Sequence, residues 1–142
     1  MSKKDKGSAD ITKAPLGILR FLYVGSSDVK KDLDYYTKVL GAEKVWDFSS
    51  MGTRVAAVQV CSGPLLLPAG HRSAPSVLPV FEVEDLKAST KEFKSRGWQP
   101  LGEEFEIPNG PCYLFKDPSG NQMAMFEDVR PRLLESGFRE TG

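Results

Sequence analysis

The sequence predicts an α+β fold of two tandem βαβββ units, which form paired curved sheets around a groove with the helices outside. Residues 17–68 and 77–127 show the same order of predicted elements, namely one strand, one helix and three strands. Asp28 precedes the first helix and Asp85 the second, and the apolar positions of the two helices then coincide. A unit of this length leaves one sheet face uncovered until a partner joins it, so the repeat favours the paired arrangement.

The first unit begins with a strand and a helix. Residues 17–25 are rich in β-branched and aromatic side chains, which are typical of strands. Ser27 or Asp28 supplies an oxygen suited to the helix N-cap, and Gly41 suits the left-handed residue that ends a helix. The helix itself is predicted by one apolar stripe at the spacing i, i+4, i+7 and i+11, formed by Val29, Leu33, Tyr36 and Leu40.

Three further strands complete each unit. In the first unit they are predicted at residues 43–48, 53–60 and 64–68. The second unit is predicted to hold a strand at 78–83, a helix at 85–96 that ends at Gly97, and strands within 98–107, at 112–116 and after the turn at 117–121. Leu86, Thr90 and Phe93 fall on one face of the second helix.

Length and composition indicate a single ordinary domain, expected to span residues 15–128. Residues 1–14 are polar and aperiodic and are expected to be disordered, and the tail at 129–142 carries RLLESGF, one expected helical turn. Lysine plus arginine and aspartate plus glutamate are both 19, so no basic surplus points to nucleic acid. No apolar stretch suits a membrane span, and two cysteines are too few for a disulfide scaffold. We therefore expect a soluble cytoplasmic protein.

Three segments together resemble the vicinal oxygen chelate superfamily: YYTKVLGAE, FEVEDL and FKDPSGNQMAMFE. This superfamily includes glyoxalase I, extradiol dioxygenases, a fosfomycin-modifying transferase and bleomycin-resistance proteins. The resemblance covers residues 17–127 and implies the paired βαβββ fold described above. It also implies a homodimer, because members of the superfamily often pair side by side.

The resemblance further implies where a divalent metal would be held in an enzyme of this group. The ligands are His, Gln or Glu on the first and last strands of each unit, and the matching positions here are Leu19, Leu67, Leu78 and Ala124. None of these side chains has a lone pair for a cation. Glu127 has the opposite strand parity to Ala124 and should point away from the groove. We therefore expect neither a metal nor another cofactor.

Other reactive residues give no catalytic set, so no catalytic residue is assigned. His71 is either a general base or an exposed loop histidine, and the second interpretation is favoured because no partner is evident. Cys61 and Cys112 are expected to be small buried thiols, and the acidic run of Glu103, Glu104 and Glu106 a solvated strand edge. Trp46, Phe48 and Trp98 are expected in the core, although aromatic side chains in this fold also stack on planar ligands.

Strand alternation predicts which side chains line the groove. If Leu19 faces the groove, every second residue of its strand does so too, and the same parity applies to the equivalent strands. The predicted ligand-binding residues are Leu19, Phe21, Tyr23, Leu65, Leu67, Leu78, Val80, Glu82, Gln122, Ala124 and Phe126. They form an apolar and aromatic cup with Tyr23, Glu82 and Gln122 as polar groups, a composition typical of small-molecule sites.

The function predicted from these observations is metal-independent binding or sequestration of a hydrophobic or aromatic small molecule. Two alternatives stay open at this point. One is a divalent-metal-dependent lyase or dioxygenase of the same superfamily, whose ligands lie at other positions. The other is a non-catalytic protein-interaction module in which the groove is filled by its own side chains. The fold alone does not decide among them, because function depends on the site.

Overall fold

The computed structural model describes residues 14–50 and 52–131, and it confirms the α+β fold. The first repeat comprises β1 (Ile18–Gly25), α1 (Val29–Asp34) with a π-helical continuation (Tyr35–Val39), β2 (Glu43–Ser50), β3 (Thr53–Gln59) and β4 (Leu65–Ala69). The second comprises β5 (Val77–Glu82), α2 (Leu86–Ser95), β6 (Phe105–Ile107), β7 (Gly110–Lys116) and β8 (Gln122–Phe126). Most of the expected disordered tail and the RLLESGF segment lie outside the described residues.

Backbone contacts divide the described chain into two compact units. The N-terminal unit is Arg20–Pro79, and the C-terminal unit consists of residues 14–19 together with Val80–Pro131. No helix in the described ranges is both long enough and apolar enough to span a bilayer.

The N-terminal unit holds the strand order β2-β3-β4-β1. β1 and β4 are parallel, with Phe21 opposite Leu65 and Tyr23 opposite Leu67, whereas the β2–β3 and β3–β4 pairs are antiparallel. The parallel pair arises because α1 and the β2–β3 hairpin lie between β1 and β4 in the chain, which provides the long crossover that parallel strands need.

The helix of this unit begins as predicted but ends differently. The Asp28 side chain caps it by accepting a hydrogen bond from the Lys31 backbone N–H at 3.1 Å, and Gly41 adopts a left-handed φ of 76°. Val29 and Leu33 are buried, but Leu40 is 55% exposed, so its predicted place on the apolar stripe was wrong. The cause is the π-helical turn, which adds residues per turn and rotates Leu40 away from the sheet.

Two apolar clusters cover opposite faces of the N-terminal sheet. Leu33 of α1 packs on Ala56 and Val58 of β3. Trp46, Ala57 and Leu67 form a second cluster, joined by Phe21, Tyr23, Val45, Val55 and Leu65. Because neighbouring residues of β3 enter different clusters, strand alternation places the second cluster on the face away from α1.

The C-terminal unit repeats this design with the strand order β5-β8-β7-β6. β5 and β8 are parallel, and the Asp85 side chain caps α2 by accepting a hydrogen bond from the Ala88 N–H at 3.0 Å. Its helix-side core consists of Val83, Leu86, Phe115 and Met125, with Phe93 and Trp98 packed against it. The two repeats therefore begin their helices with the same aspartate cap.

The turn between β7 and β8 is held by one carboxylate. Asp117 accepts hydrogen bonds from the backbone N–H groups of Ser119 at 3.0 Å and Asn121 at 2.9 Å, and from the Asn121 side chain at 3.0 Å. These bonds lower the pKa of Asp117, with the side-chain bond from Asn121 the largest cause. Gly120 adopts the positive φ of 94° that the turn requires.

The strand predicted within residues 98–107 is present but short. Within residues 98–107 only Phe105–Ile107 is a strand, because Pro100 and Gly102 interrupt the ladder. Arg130 stabilises the β6–β7 hairpin. Its guanidinium donates hydrogen bonds to the Pro108 carbonyl at 2.8 Å and to the Glu106 carboxylate at 2.6 Å. Glu103, Glu104 and Glu106 are exposed, as the acidic run predicted.

Replacement of Gly110 by Ala should destabilise the C-terminal unit. A Cβ atom at this buried position would overlap the backbone oxygen of Glu127 and lie 3.2 Å from a methyl group of Val129. We expect a loss of about 1–3 kcal/mol in the free energy of unfolding, measured by urea titration. Gly102→Ala is the matched control, because no atom lies within 4 Å of a Cβ there, and its effect should stay within about 0.5 kcal/mol. Equal effects of the two changes would contradict this account.

Candidate functional site

The face of the N-terminal sheet away from α1 carries a continuous set of aromatic and aliphatic side chains. We call it the aromatic face, and it is defined by Phe21, Tyr23, Trp46, Phe48, Val55, Ala57, Leu65 and Leu67. Phe21 and Tyr23 come from β1, and Leu65 comes from the adjacent β4. Phe48 lies opposite Val55 in the β2–β3 register, so it shares this face.

Exposure varies across the aromatic face. Leu67 is 1% exposed and Trp46 5%, so both form a closed floor. Phe21, Tyr23 and Leu65 are half-buried, and each presents part of its surface to solvent. Phe48 is 48% exposed, so its predicted place in the core was wrong. The reason is its position near the end of β2, the outer strand of the N-terminal order, where few neighbours cover it.

One polar ring adjoins the aromatic face. His71 is exposed in the loop after β4, as predicted, and its ring meets that of Tyr23 edge-on with the centroids 6.1 Å apart. Partial loss of water around the imidazole, followed by the nearby charge of Arg72, lowers the pKa of His71. The neutral ring therefore predominates at neutral pH and offers one donor and one acceptor.

The C-terminal unit has a corresponding face, away from α2. The β5–β8 register places Val80 opposite Ala124 and Glu82 opposite Phe126, and Cys112 of β7 lies opposite Phe126 on its other side. Val80, Ala124 and Phe126 are at most 2% exposed. Glu82 is half-buried and Gln122 exposed. This face is thus sealed at its centre, and Glu82 and Gln122 lie at opposite ends of their parallel strand pair.

The two remaining predicted positions lie on β1 and β5. Leu19 is half-buried and belongs to the C-terminal unit, and Leu78 is 5% exposed and belongs to the N-terminal unit. Five of the eleven predicted ligand-binding residues are therefore buried, namely Leu67, Leu78, Val80, Ala124 and Phe126. The residues with exposed surface are Leu19, Phe21, Tyr23, Leu65, Glu82 and Gln122.

The donors that the family's metal would need do not fit this chain. The four matching positions carry only hydrocarbon side chains: Leu19, Leu67, Leu78 and Ala124. No three His, Cys, Asp or Glu side chains within residues 14–50 and 52–131 are grouped to hold a metal ion. The Glu127 carboxylate points to the helix side, as its parity predicted, and accepts a hydrogen bond from the Leu86 N–H at 3.0 Å.

The two cysteines differ in environment. Cys112 is buried as expected, and burial raises the pKa of its thiol to about 12. Cys61 is exposed, which corrects the expectation that both thiols are buried. It lies in the turn after β3, outside the strand pattern that covers Cys112.

A further concavity was not predicted. A depression of about 470 Å³ lies on the helix side of the C-terminal unit, and it is lined by residues of α2, by Pro111 and Tyr113 of β7, and by Glu104 and Glu127. Three of its lining residues are lysines of α2. Their spacing in the sequence, at positions 87, 91 and 94, is typical of a cationic helix face, a signal that the apolar stripe of the same helix does not carry.

Comparison with known proteins first places the chain in a class by its architecture, a two-repeat βαβββ protein. Methylmalonyl-CoA epimerase from Mycobacterium tuberculosis has this fold with a TM-score of 0.69 at 16% identity, covering 80% of this chain and 89% of that one. A hypothetical protein from Bacillus halodurans C-125 gives 0.68 at 12% identity, with 79% and 94% covered.

A third similar structure is Streptomyces coelicolor methylmalonyl-CoA epimerase in complex with 2-nitronate-propionyl-CoA, with a TM-score of 0.64, 15% identity, and 79% and 97% covered. A search of curated protein sequences finds no match. The model of the Glyoxalase/Bleomycin resistance protein/Dioxygenase superfamily matches residues 17–125. The chain belongs to this superfamily.

The difference between the thiols can be measured with Ellman's reagent. At pH 8 only the exposed Cys61 of the native protein should react with the reagent. Cys112 should not react, because it is buried and its pKa of about 12 keeps the thiol protonated at that pH. The Cys61→Ala variant should not react until a denaturant is added. Prompt reaction of Cys112 in the folded variant would contradict the burial of this thiol.

His71 should titrate below the ordinary histidine pKa of about 6.5. Because the pKa of the folded state is lowered, the unfolded chain binds more protons, so His71 makes folding less favourable as the pH falls through about 6.5. As His71 is the only histidine, NMR of the untagged protein reads its ring protons without ambiguity. The same titration in urea is the control, and a native midpoint at or above the control would contradict the assignment.

Proposed function

We propose that this superfamily member binds a hydrophobic or aromatic small molecule without a metal, on the aromatic face of the N-terminal unit. One observation carries the proposal: half-buried Phe21, Tyr23 and Leu65 and exposed Phe48 share a sheet face whose floor is closed. A soluble chain rarely leaves several neighbouring aromatic side chains partly open to water without a use. The four apolar residues at the metal-ligand positions support binding without a metal.

Binding on this face would be driven by removal of apolar surface from water, worth ~25 cal/mol per Å². The aromatic rings add a geometric preference, since offset or edge-to-face ring pairs contribute ~0.5–1.5 kcal/mol beyond area burial. The neutral imidazole of His71 and the hydroxyl of Tyr23 supply hydrogen bonds that orient a polar substituent. Mostly apolar walls with few polar groups are typical of small-molecule sites.

The similar structures give limited support for the kind of ligand. One of them is an epimerase in complex with a CoA ester, so this fold accommodates small organic molecules in another protein. At 15% identity that likeness shows the fold alone, and the ligand proposed here rests on the aromatic face. On the C-terminal unit, Glu82 and Gln122 are the proposed polar contacts for a ligand on the corresponding face. The homodimer and the cytoplasmic setting stay predictions.

Phe48→Ala should weaken binding of a neutral aromatic probe while leaving the fold intact. The probe is N-phenyl-naphthylamine, whose fluorescence rises in apolar surroundings and whose lack of charge excludes ionic attraction. Truncation of a ring that contacts the ligand should cost about 1 kcal/mol or more, or roughly fivefold in Kd. Since Phe48 is 48% exposed, the free energy of unfolding should change little.

The matched control is Tyr35→Ala, because Tyr35 is also aromatic and 51% exposed but lies on the helix of the same unit. It should bind the probe like the unchanged protein. No fluorescence change with the unchanged protein, or equal losses in both variants, would overturn the proposal. Stoichiometric Zn, Ni, Mn or Fe in protein purified without chelator would instead favour the metal-dependent alternative.

A further inference from the structure

The depression of the C-terminal unit lies on the opposite side of its sheet from Val80, Ala124 and Phe126. Pro111 and Tyr113 line it and have the strand parity of Phe115, which packs in the helix-side core. All of its walls belong to residues 86–127. Its volume of about 470 Å³ falls within the ~300–1,000 Å³ that small-molecule sites occupy.

Three lysines give the depression its charge. Lys87, Lys91 and Lys94 follow the spacing i, i+4 and i+7, so they share one side of α2. Among the residues that the structure describes, no carboxylate lies within 4.0 Å of any of their ammonium groups. Their charges therefore remain available to an anion.

The repeat shows that this charge is specific to the second helix. When the two N-caps are aligned, Lys30 corresponds to Lys87 and Asp34 to Lys91. In α1, Asp34 lies 3.3 Å from the Lys30 ammonium and 3.6 Å from that of Lys38, and these lysines lower its pKa. In α2, a third cation stands where α1 has the neutralising carboxylate.

Two glutamates also line the depression, so three positive charges face two negative ones. Glu127 accepts a hydrogen bond from the Leu86 N–H at 3.0 Å, at the positive end of α2, which already offsets part of its charge. Glu104 is exposed and has no such partner among the hydrogen bonds of the described chain. The local balance favours an anion.

The opposite wall of the depression is apolar and aromatic. The Tyr113 ring stands edge-on to Trp98 with the centroids 5.8 Å apart and the planes at 87°, so packing fixes its orientation. Leu86 and Pro111 lie beside it as lining residues. A ligand with a flat or apolar part could pack here while its anionic part meets the lysines.

We propose that this depression binds a small phosphate-bearing molecule of the nucleoside diphosphate class. Lys87, Lys91 and Lys94 contact the phosphate oxygens as mobile point charges, and Tyr113 with Pro111 receives the base. The site shares no residue with the aromatic face, so it stands or fails independently of the proposed function.

Isothermal titration with ADP, inorganic pyrophosphate and adenosine tests the proposal on the full chain. We expect ADP to bind more tightly than pyrophosphate, adenosine to bind weakly, and ADP binding to weaken as salt rises from ~50 to ~200 mM. Lys91→Glu, which restores the charge pattern of α1, should weaken ADP binding at least ~10-fold. Glu matches Lys in helix propensity, so α2 is preserved.

Lys31→Glu is the matched control, because Lys31 is an exposed helical lysine outside the depression, and its Kd for ADP should not change. Phe48→Ala should also leave ADP binding unchanged, which separates this site from the aromatic face. Circular dichroism checks the fold of each variant, and Lys91→Gln replaces Lys91→Glu if the latter does not fold. Absence of ADP binding at ~1 mM, equal binding of adenosine, or equal losses in the Lys31 and Lys91 variants would overturn the proposal.

Discussion

Burial of both sheet faces is the constraint on which this structure depends. In β3 three consecutive residues, Ala56, Ala57 and Val58, are 0% exposed, although alternation points them to opposite faces. In β8, Met125 and Phe126 are likewise 0% exposed. A single short helix covers only one face of each unit, so the other face must be closed by other apolar side chains. Each repeat is therefore built as a sheet whose central residues are buried on both faces.

This constraint decides where function can lie. The fully buried residues of the central strands are closed to a ligand, so it can reach only side chains that keep exposed surface. On the aromatic face these include Phe48 at the end of β2 and Tyr23, whose ring meets that of His71. The same logic explains why hydrocarbon side chains at Leu67 and Ala124 are compatible with folding: they fill positions where an uncoordinated carboxylate would be buried without a partner, at a cost of several kcal/mol.

Strand parity, helix caps and glycine turns could be predicted from the sequence because each depends on a few neighbouring residues. The cap by Asp28, the left-handed Gly41 and the direction of Glu127 are of this kind. The exposure of Leu40 and Phe48 could not be predicted, because it depends on a π-helical turn and on strand order, which hydrophobic periodicity does not encode. The depression of the C-terminal unit needs a helix and a strand brought together by folding, so neither the composition nor the zero net charge of the chain indicates it.

The repeat shows how one scaffold acquires two different surfaces. The sheet face away from the helix keeps exposed aromatic area in the N-terminal unit, whereas Val80 and Ala124 close it in the C-terminal unit. The helices differ in charge: Asp34 neutralises the lysines beside it in the N-terminal unit, whereas Lys91 adds a positive charge at the equivalent position of the C-terminal unit. Neither change touches a cap or a helix-side core residue. The helix caps and helix-side cores are therefore separate from the residues at which the two surfaces differ, and either repeat can change its surface without loss of the architecture.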